Sequence, residues 1–307
     1  MRIAVFGTGS LGGRYGGDLV MAGHDVTFIA RSQLETLKKE GLKFDARVLG
    51  AILTPEARGE LPAGIVTLPV QVTDKPAEVG PVDLLLFCGK TYDLDTAANQ
   101  ARPLVGPQTN VLPVQNGVRI RERLGPYFGE HAVIGGVRYP DRIIFGEIDG
   151  SESQRTKQLL EVFQSAGLTT ELSNHIQKDI REKFIAICAV GGILTMVRLP
   201  MGPALSCPET KELFEGVMDE AISISQAMGV AVAEDFLPNM MTYLDGLPPM
   251  IKNSQLEDIE AGRRLELDDL NGETVRLGKE FGIPTPLNFA VYAALKPYID
   301  GAPTLLA

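Results

Sequence analysis

The sequence predicts an N-terminal α/β domain on a parallel sheet, followed by an all-α C-terminal domain. Three observations predict it. A short apolar run, Ile3 to Phe6, breaks into Gly7-x-Gly9-x-x-Gly12 and continues into a helix-compatible stretch, Leu11 to Met21. Further apolar runs at Asp25–Ala30, Val82–Cys88 and Asn110–Gln115 alternate with helical segments, the pattern of βαβ units. Beyond residue 173 the periodicity is helical almost throughout. The expected division is therefore 1–172 and 173–307.

The opening segment carries the first chemistry. A glycine triplet between a strand and a helix, with a second strand behind it, is the context in which GxGxxG signals dinucleotide binding. Gly7 permits the tight turn, Gly9 lets backbone approach a pyrophosphate, and Gly12 lets helix and strand pack closely. The diphosphate would meet the unpaired N–H groups of the helix start, so Gly7, Thr8, Gly9, Ser10, Leu11 and Gly12 are candidate cofactor contacts. This is a Rossmann-type arrangement.

The bulk properties bound the rest. A chain of 307 residues fits two domains, and 44% hydrophobic with 22% charged residues is a globular composition. A formal charge of −10 argues against a general nucleic-acid or anionic-membrane binder. Three cysteines, Cys88, Cys188 and Cys207, lack metal-ligand spacing, and only three histidines are present, so no metal site is expected. The free thiols, the start directly on a strand and the lack of a bilayer-spanning apolar run lead to the expectation of a cytoplasmic protein.

In chain order, the second strand ends at Ala30-Arg31-Ser32. An acid at such a strand end accepts from the ribose 2′-hydroxyl of NAD; Arg31 instead suits the 2′-phosphate of NADP(H). The alternative is a solvated arginine opening the helix Gln33 to Glu40. Strand-rich segments follow at Val48–Thr54 and Ile65–Val72. The strand Val82–Cys88 ends in Gly89-Lys90-Thr91, placing Lys90 where ligands of such sheets gather, although a strand-end lysine can be merely solvated. A helix runs from Thr91 to Ala101. The strand Asn110–Gln115 ends in Asn116-Gly117, either a plain turn or an amide aimed at cofactor and substrate. Strands Ala132–Val137, Arg142–Phe145 and Thr169–Leu172 and the helix Glu152–Ala166 complete the domain, which ends at the capping pair Ser173-Asn174. Helices are then expected over 174–195, 207–228, 237–244, 250–281 and 287–296, with a substrate cleft between the domains.

Two helical stretches stand out. In Arg181-Glu182-Lys183-Phe184, Lys183 begins an otherwise apolar helix interior. A lysine bordering a cleft can serve as a proton donor, and it can equally lay its stem on the core with its head in water. The second stretch, Ser254 to Gly272, mixes acids and arginines as a solvated face would, yet contains Gly262 and Gly272, which weaken a helix; close approach of backbone or ligand is one reason for them.

Together these residues resemble the ketopantoate reductase (2-dehydropantoate 2-reductase) family along essentially the whole chain. The resemblance rests on Gly7-x-Gly9-x-x-Gly12, Arg31, Lys90, Gln115-Asn116-Gly117 and Arg181-Glu182-Lys183. It rests also on Ser254, Asp258, Gly262-Arg263, Glu266 and Asn271-Gly272. It implies a C-terminal domain like that of 6-phosphogluconate dehydrogenase and NADPH-dependent reduction of a 2-keto acid, in the family's case ketopantoate to pantoate in pantothenate biosynthesis. It implies that Lys183 is the general acid, that Glu266 hydrogen-bonds the substrate oxygen, and that Asn116 holds lysine, cofactor and substrate in register. Ser254 would bind the substrate end, and Arg31 and Lys90 would contact NADP(H). The chemistry agrees: hydride attack on a ketone makes an alkoxide, which an ammonium stabilises and protonates.

The departures are specific. The family pattern carries asparagines four and eight residues after the lysine, and this chain has Ile187 and Gly191; before Glu266, where threonine is common, stands Leu265. Apolar groups in a site that reads a hydroxyl remove discrimination for it. The expected substrate is a bulkier or less polar 2-keto acid, in a pocket shaped by Ile187 and Gly191. The competing readings are a related hydroxyacid dehydrogenase on another carbon skeleton and a non-catalytic NADP(H)-sensing protein. Apolar-faced helices in the second domain are compatible with a homodimer.

Overall fold

The computed structural model describes residues 1–45, 65–139 and 142–301. The expected strand over 48–54 lies outside them. Internal contacts gather the chain into two units: Met1–Gln115 with Arg119–Asp179, and Asn116–Val118 with Ile180 onward.

The first unit is built on a five-stranded parallel sheet. Strands β1 (Arg2–Phe6) and β2 (Asp25–Ile29) flank helix α1 (Ser10–Met21) in sequence, and α2 (Leu34–Glu40) follows. Next, β3 (Leu42–Asp45) pairs antiparallel with β4 (Ile65–Leu68), outside the main sheet. Strand β5 (Gln71–Thr73) returns to that sheet, then come α3 (Pro76–Val79), β6 (Leu84–Phe87), α4 (Leu94–Ala101) and β7 (Asn110–Pro113). The order is β5-β2-β1-β6-β7, so the chain reverses its winding between β1 and β6. That reversal leaves a crevice at the carboxyl ends of the strands, and both β1 and β6 end there. Apolar residues alternate between two covered faces: Ile3, Val5, Phe28, Leu84 and Leu86 belong to one core cluster, and Ala4, Phe6, Leu85 and Phe87 to another. This is why the strands read as unbroken apolar runs.

Helix α5 (Ile120–Phe128), whose Gly125 and Pro126 mask it in the sequence, leads to a second sheet of β8 (Gly135–Arg138), β9 (Ile143–Gly146) and β10 (Thr170–Leu172), with α6 (Gln154–Ser165) between the last two. Ser153 caps α6 by accepting from Thr156 N.

The second unit is helical. Helix α7 (Ile176–Val197) crosses the division at Asp179–Ile180, and α8 (Met201–Leu205), α9 (Pro208–Ala227) and α10 (Phe236–Asp245) follow. Helix α8 occupies the stretch between the helices expected over 174–195 and 207–228. The single helix expected over 250–281 is corrected to three pieces: α11 (Ser254–Glu260), a 3-10 turn at Leu267–Asp269, and α12 (Asn271–Phe281). Gly262 is the reason. At φ +65 it ends α11 in a left-handed cap, in which Arg263 N donates to Asp258 O (2.8 Å) and Gly262 N to Ile259 O (3.1 Å). Nothing lies within 4 Å of a Cβ built there, so the missing side chain serves the left-handed cap and not room for a neighbour beside it. Gly272 does admit one: its Cβ would stand 2.8 Å from the ring of Tyr292, on α13 (Pro286–Leu295). The core of this unit gathers Ile185, Ala189, Ile193, Phe214, Val217, Leu256, Leu265, Leu267 and Val291.

Candidate functional site

In the first unit, the glycine loop joins β1 to α1 beside the crevice. Gly7 adopts φ +98, and a Cβ there would stand 2.8 Å from Gly89 N, so the loops after β1 and β6 touch through their backbones. Gly12 packs harder still: its Cβ would fall 1.9 Å from Gly7 O. Gly9 differs, because a Cβ there meets no protein atom within 4 Å. It is also the N-cap of α1 and provides no side-chain cap, leaving the first-turn N–H groups without an intrahelical acceptor. An open glycine at an uncapped helix start is a cradle that a diphosphate fits, with Thr8, Ser10 and Leu11 beside it. Thr8 Oγ1 donates to Gln33 Oε1 (2.9 Å), tying the loop to the start of α2.

Arg31 and Lys90 stand at the same end of the sheet. Lys90 precedes a 3-10 turn, Thr91–Asp93, and the Asp93 carboxylate accepts from Arg31 Nη2 (2.9 Å). Gln115 closes the row: its Nε2 donates to Gly89 O (2.5 Å), while its buried Oε1 has no hydrogen-bond partner among the described residues. Asp93 and Gln115 are partners the sequence did not reveal, since their contacts span 62 and 26 residues.

In the second unit, Val118 and Leu270 pack on the first half of α7. Lys183 is half-buried on the turn before Phe184. Phe184, Cys188 and Leu270 form a small apolar cluster, and Ile187 and Val118 pack against it. The segment Asn116–Val118 therefore lies on α7 within two residues of Asn116, the turn being allowed by Gly117 at φ +116. Glu266 is buried and opens the 3-10 turn that leads to Leu270. Glu182 accepts from Ala233 N (3.1 Å), which fixes the α7 turn that carries Lys183.

Gly191 lies one turn beyond Ile187. A Cβ there would stand 3.4 Å from Asn253 Nδ2, 3.8 Å from Leu270 Cδ1 and 4.0 Å from Gln255 Nε2. Ser254 sits exposed between those two amides at the start of α11. Leu265 is 1% exposed in the helical core, so it forms no part of a pocket surface. Asn271 explains the buried end of the motif: its Nδ2 donates to Cys188 O and to Asn288 Oδ1 (both 3.1 Å).

Burial raises the thiols of Cys88 and Cys188, the latter to about 12; Cys188 is buried, and Cys88 is half-buried against the core of the first unit. Among the described residues, no group of three His, Cys, Asp or Glu side chains could hold a metal, and no helix is long and apolar enough to cross a membrane.

Comparison with known proteins agrees with this architecture. The N-terminal model of ketopantoate reductase PanE/ApbA matches residues 3–141, and the C-terminal model of the same family matches residues 175–299. The chain is 26% identical to a 2-dehydropantoate 2-reductase of Aquifex aeolicus, over 94% of each protein. It is 28% identical to an uncharacterized oxidoreductase of Bacillus subtilis, over 97% of this chain and 99% of that one. The crystal structure of 2-dehydropantoate 2-reductase from Geobacter metallireducens superposes with a TM-score of 0.84 at 29% identity, covering 96% of this chain and 99% of that chain. A D-mandelate dehydrogenase solved with NADH and anilino(oxo)acetate shares the fold, with a TM-score of 0.83 at 18% identity and coverage of 97% and 98%. With both family models matched in order along its length, the chain belongs to the ketopantoate reductase PanE/ApbA family.

Proposed function

We propose that this protein is an NADPH-dependent reductase of 2-keto acids. The observation that carries the reading is the packing of Val118 and Leu270, which follow Asn116 and Glu266 in the chain, against Phe184 and Ile187 on the stretch of α7 that bears Lys183. A reduced nicotinamide, when bound, supplies the hydride. Gly7, Thr8, Gly9, Ser10, Leu11 and Gly12 would hold its diphosphate, and Arg31 and Lys90 would hold its adenosine end; the 2′-phosphate preference rests on Arg31.

Lys183 holds the proton that passes from Nζ to the ketone oxygen, and its charge stabilises the developing alkoxide first. Asn116 positions cofactor and substrate, Glu266 accepts from the substrate hydroxyl, and Ser254 binds the substrate end. Ile187, bedded among Val118, Phe184 and Leu270, gives the middle of the pocket an apolar wall. That wall favours a 2-keto acid with a branched or bulky C3, ketopantoate or a larger relative, over pyruvate.

The test is NADPH oxidation by the purified protein with ketopantoate, trimethylpyruvate, phenylglyoxylate and straight-chain 2-keto acids, with NADH alongside. Lys183→Ala should lower kcat about a hundredfold to ten-thousandfold, the share general acid catalysis contributes. NADPH binding with no Lys183-dependent turnover of any keto acid would support a sensing protein instead.

A further inference from the structure

The stretch that follows α13 runs back along the loop that carries Glu266. Helix α11 ends at Gly262 and α12 begins at Asn271, and between them Glu266 opens the 3-10 turn Leu267–Asp269. Four contacts pair this loop with segment 296–301, in antiparallel order. Gly301 is buried at φ +106, and a Cβ there would stand 2.6 Å from Gly262 O. Asp300 pairs with Arg264 (3.2 Å), Leu265 N donates to Ile299 O (2.8 Å), and Lys296 Nζ donates to Asp268 Oδ1 (2.7 Å). Tyr292, one turn earlier on α13, donates its OH to the same carboxylate oxygen (2.7 Å) and has its ring against Gly272. A 3-10 turn at Lys296–Tyr298 and a bond from Gly301 N to Tyr298 O (3.0 Å) shape the segment that meets the loop.

The turn's own bonds are local: Asp269 N donates to Glu266 O (3.1 Å) and Leu270 N to Leu267 O (3.3 Å). They fix its shape and not its place. Leu265 and Leu267, buried in the helical core on either side of Glu266, anchor it from below. Ile299 O holds the backbone one residue before Glu266, and Tyr292 and Lys296 hold Asp268 two residues after it. We infer that segment 292–301 is a strap that positions Glu266, with Ile299, Lys296 and Gly301 as positioning residues that act through its carboxylate. The Lys296–Asp268 pair is exposed on both sides and adds little to stability. What it supplies is a fixed register for the turn. The inference rests on the 2-keto acid reading above, in which Glu266 meets the substrate oxygen, and names what sets that residue's place.

Two variants loosen the strap at opposite ends. Lys296→Met keeps the stem, removes the ammonium and should melt within a few degrees of the wild type. Gly301→Ala drives a methyl towards Gly262 O at a positive φ that alanine resists. Each is made in the wild type and in Glu266→Gln, and kcat/KM is measured with NADPH and whichever of ketopantoate and phenylglyoxylate the wild type reduces faster. In the wild type each should cost about tenfold or more, since a displacement of about 1 Å at a reacting site costs up to about a hundredfold. In Glu266→Gln each should cost about twofold or less, because the residue through which the strap acts is already disabled. Equal losses in the two backgrounds, or no loss in the wild type, would overturn the inference and leave the reductase reading intact. Hydrogen exchange tests the holding role apart from turnover: Lys296→Met should speed exchange of the Asp269 and Leu270 amides about tenfold and leave the amides of α7 at the wild-type rate. Unchanged exchange at those two amides overturns the inference even where turnover falls. A wild type that reduces no keto acid counts against the reductase reading, and the exchange rates then decide whether the strap holds the turn.

Discussion

The Arg31 guanidinium donates to the Asp93 carboxylate across 2.9 Å, joining the residue after β2 to the turn after β6. Both side chains are well exposed, at 59% and 39%, so the pair adds little to stability. Its consequence is for ligand choice. A 2′-phosphate must compete with Asp93 for the same guanidinium and lie near a like charge. Asp93→Asn is expected to lower KM for NADPH severalfold and to leave KM for NADH nearly unchanged. Arg31→Ala should raise KM for NADPH about tenfold to a hundredfold, the worth of a charge-assisted contact. Parallel shifts for both cofactors would assign the pair to the fold alone.

Gly9 and Gly12 belong to one motif and should fail in different ways. A methyl at position 12 would sit 1.9 Å from Gly7 O, so Gly12→Ala is expected to destabilise the first unit by about 3 kcal/mol or more. At position 9 the same methyl meets no protein atom within 4 Å. Gly9→Ala should therefore melt within a few degrees of the wild type and yet bind NADPH at least about tenfold more weakly, because the obstruction falls on the ligand. Melting curves and cofactor titration on the two variants separate these outcomes.

The contrast also shows what the sequence made legible. Strand runs such as Ile3–Phe6 and Leu84–Phe87 are apolar because the sheet is covered on both faces, so local pattern was enough to place them. The glycine motif was legible because its steric demands are local. The segment 250–281 reads as one helix because its helical periodicity continues through Gly262, and only the left-handed cap at that residue shows where α11 stops. A polar set spread along the chain is invisible to periodicity. Asn253 could have been recognised as a helix cap, but nothing in its neighbours tells that its free end reaches Gly191, 62 residues earlier. Leu265, which the resemblance sets beside Glu266, lies in the helical core, a placement that only the packing reveals.

Ile187 offers a test of the pocket wall. It packs with Val118 against Phe184, Cys188 and Leu270, one turn after Lys183. Ile187→Asn replaces that wall with an amide and should shift the kcat/KM ratio of phenylglyoxylate to ketopantoate about tenfold towards the more polar substrate, the scale on which a hydrophobic pocket discriminates. An unchanged ratio would remove Ile187 from the substrate site.

Asp18 governs how stability should depend on pH. It is 2% exposed on α1, its Oδ2 has no hydrogen-bond partner among the described residues, and burial, opposed only by the charge of Arg14, raises its pKa from 3.8 to about 7. Between those values the native state keeps a proton that the unfolded chain has released. Stability therefore falls as pH rises through that window, and the full burden, of order 4 kcal/mol, is present only above pH 7. Asp18→Asn removes the titration while preserving shape. The variant should gain little or nothing in Tm near pH 4 and gain progressively more towards pH 8, where the native carboxylate is charged and buried. A Tm difference between variant and wild type that stays constant from pH 4 to pH 8 would show that Asp18 titrates alike in both states, with its charge reaching water.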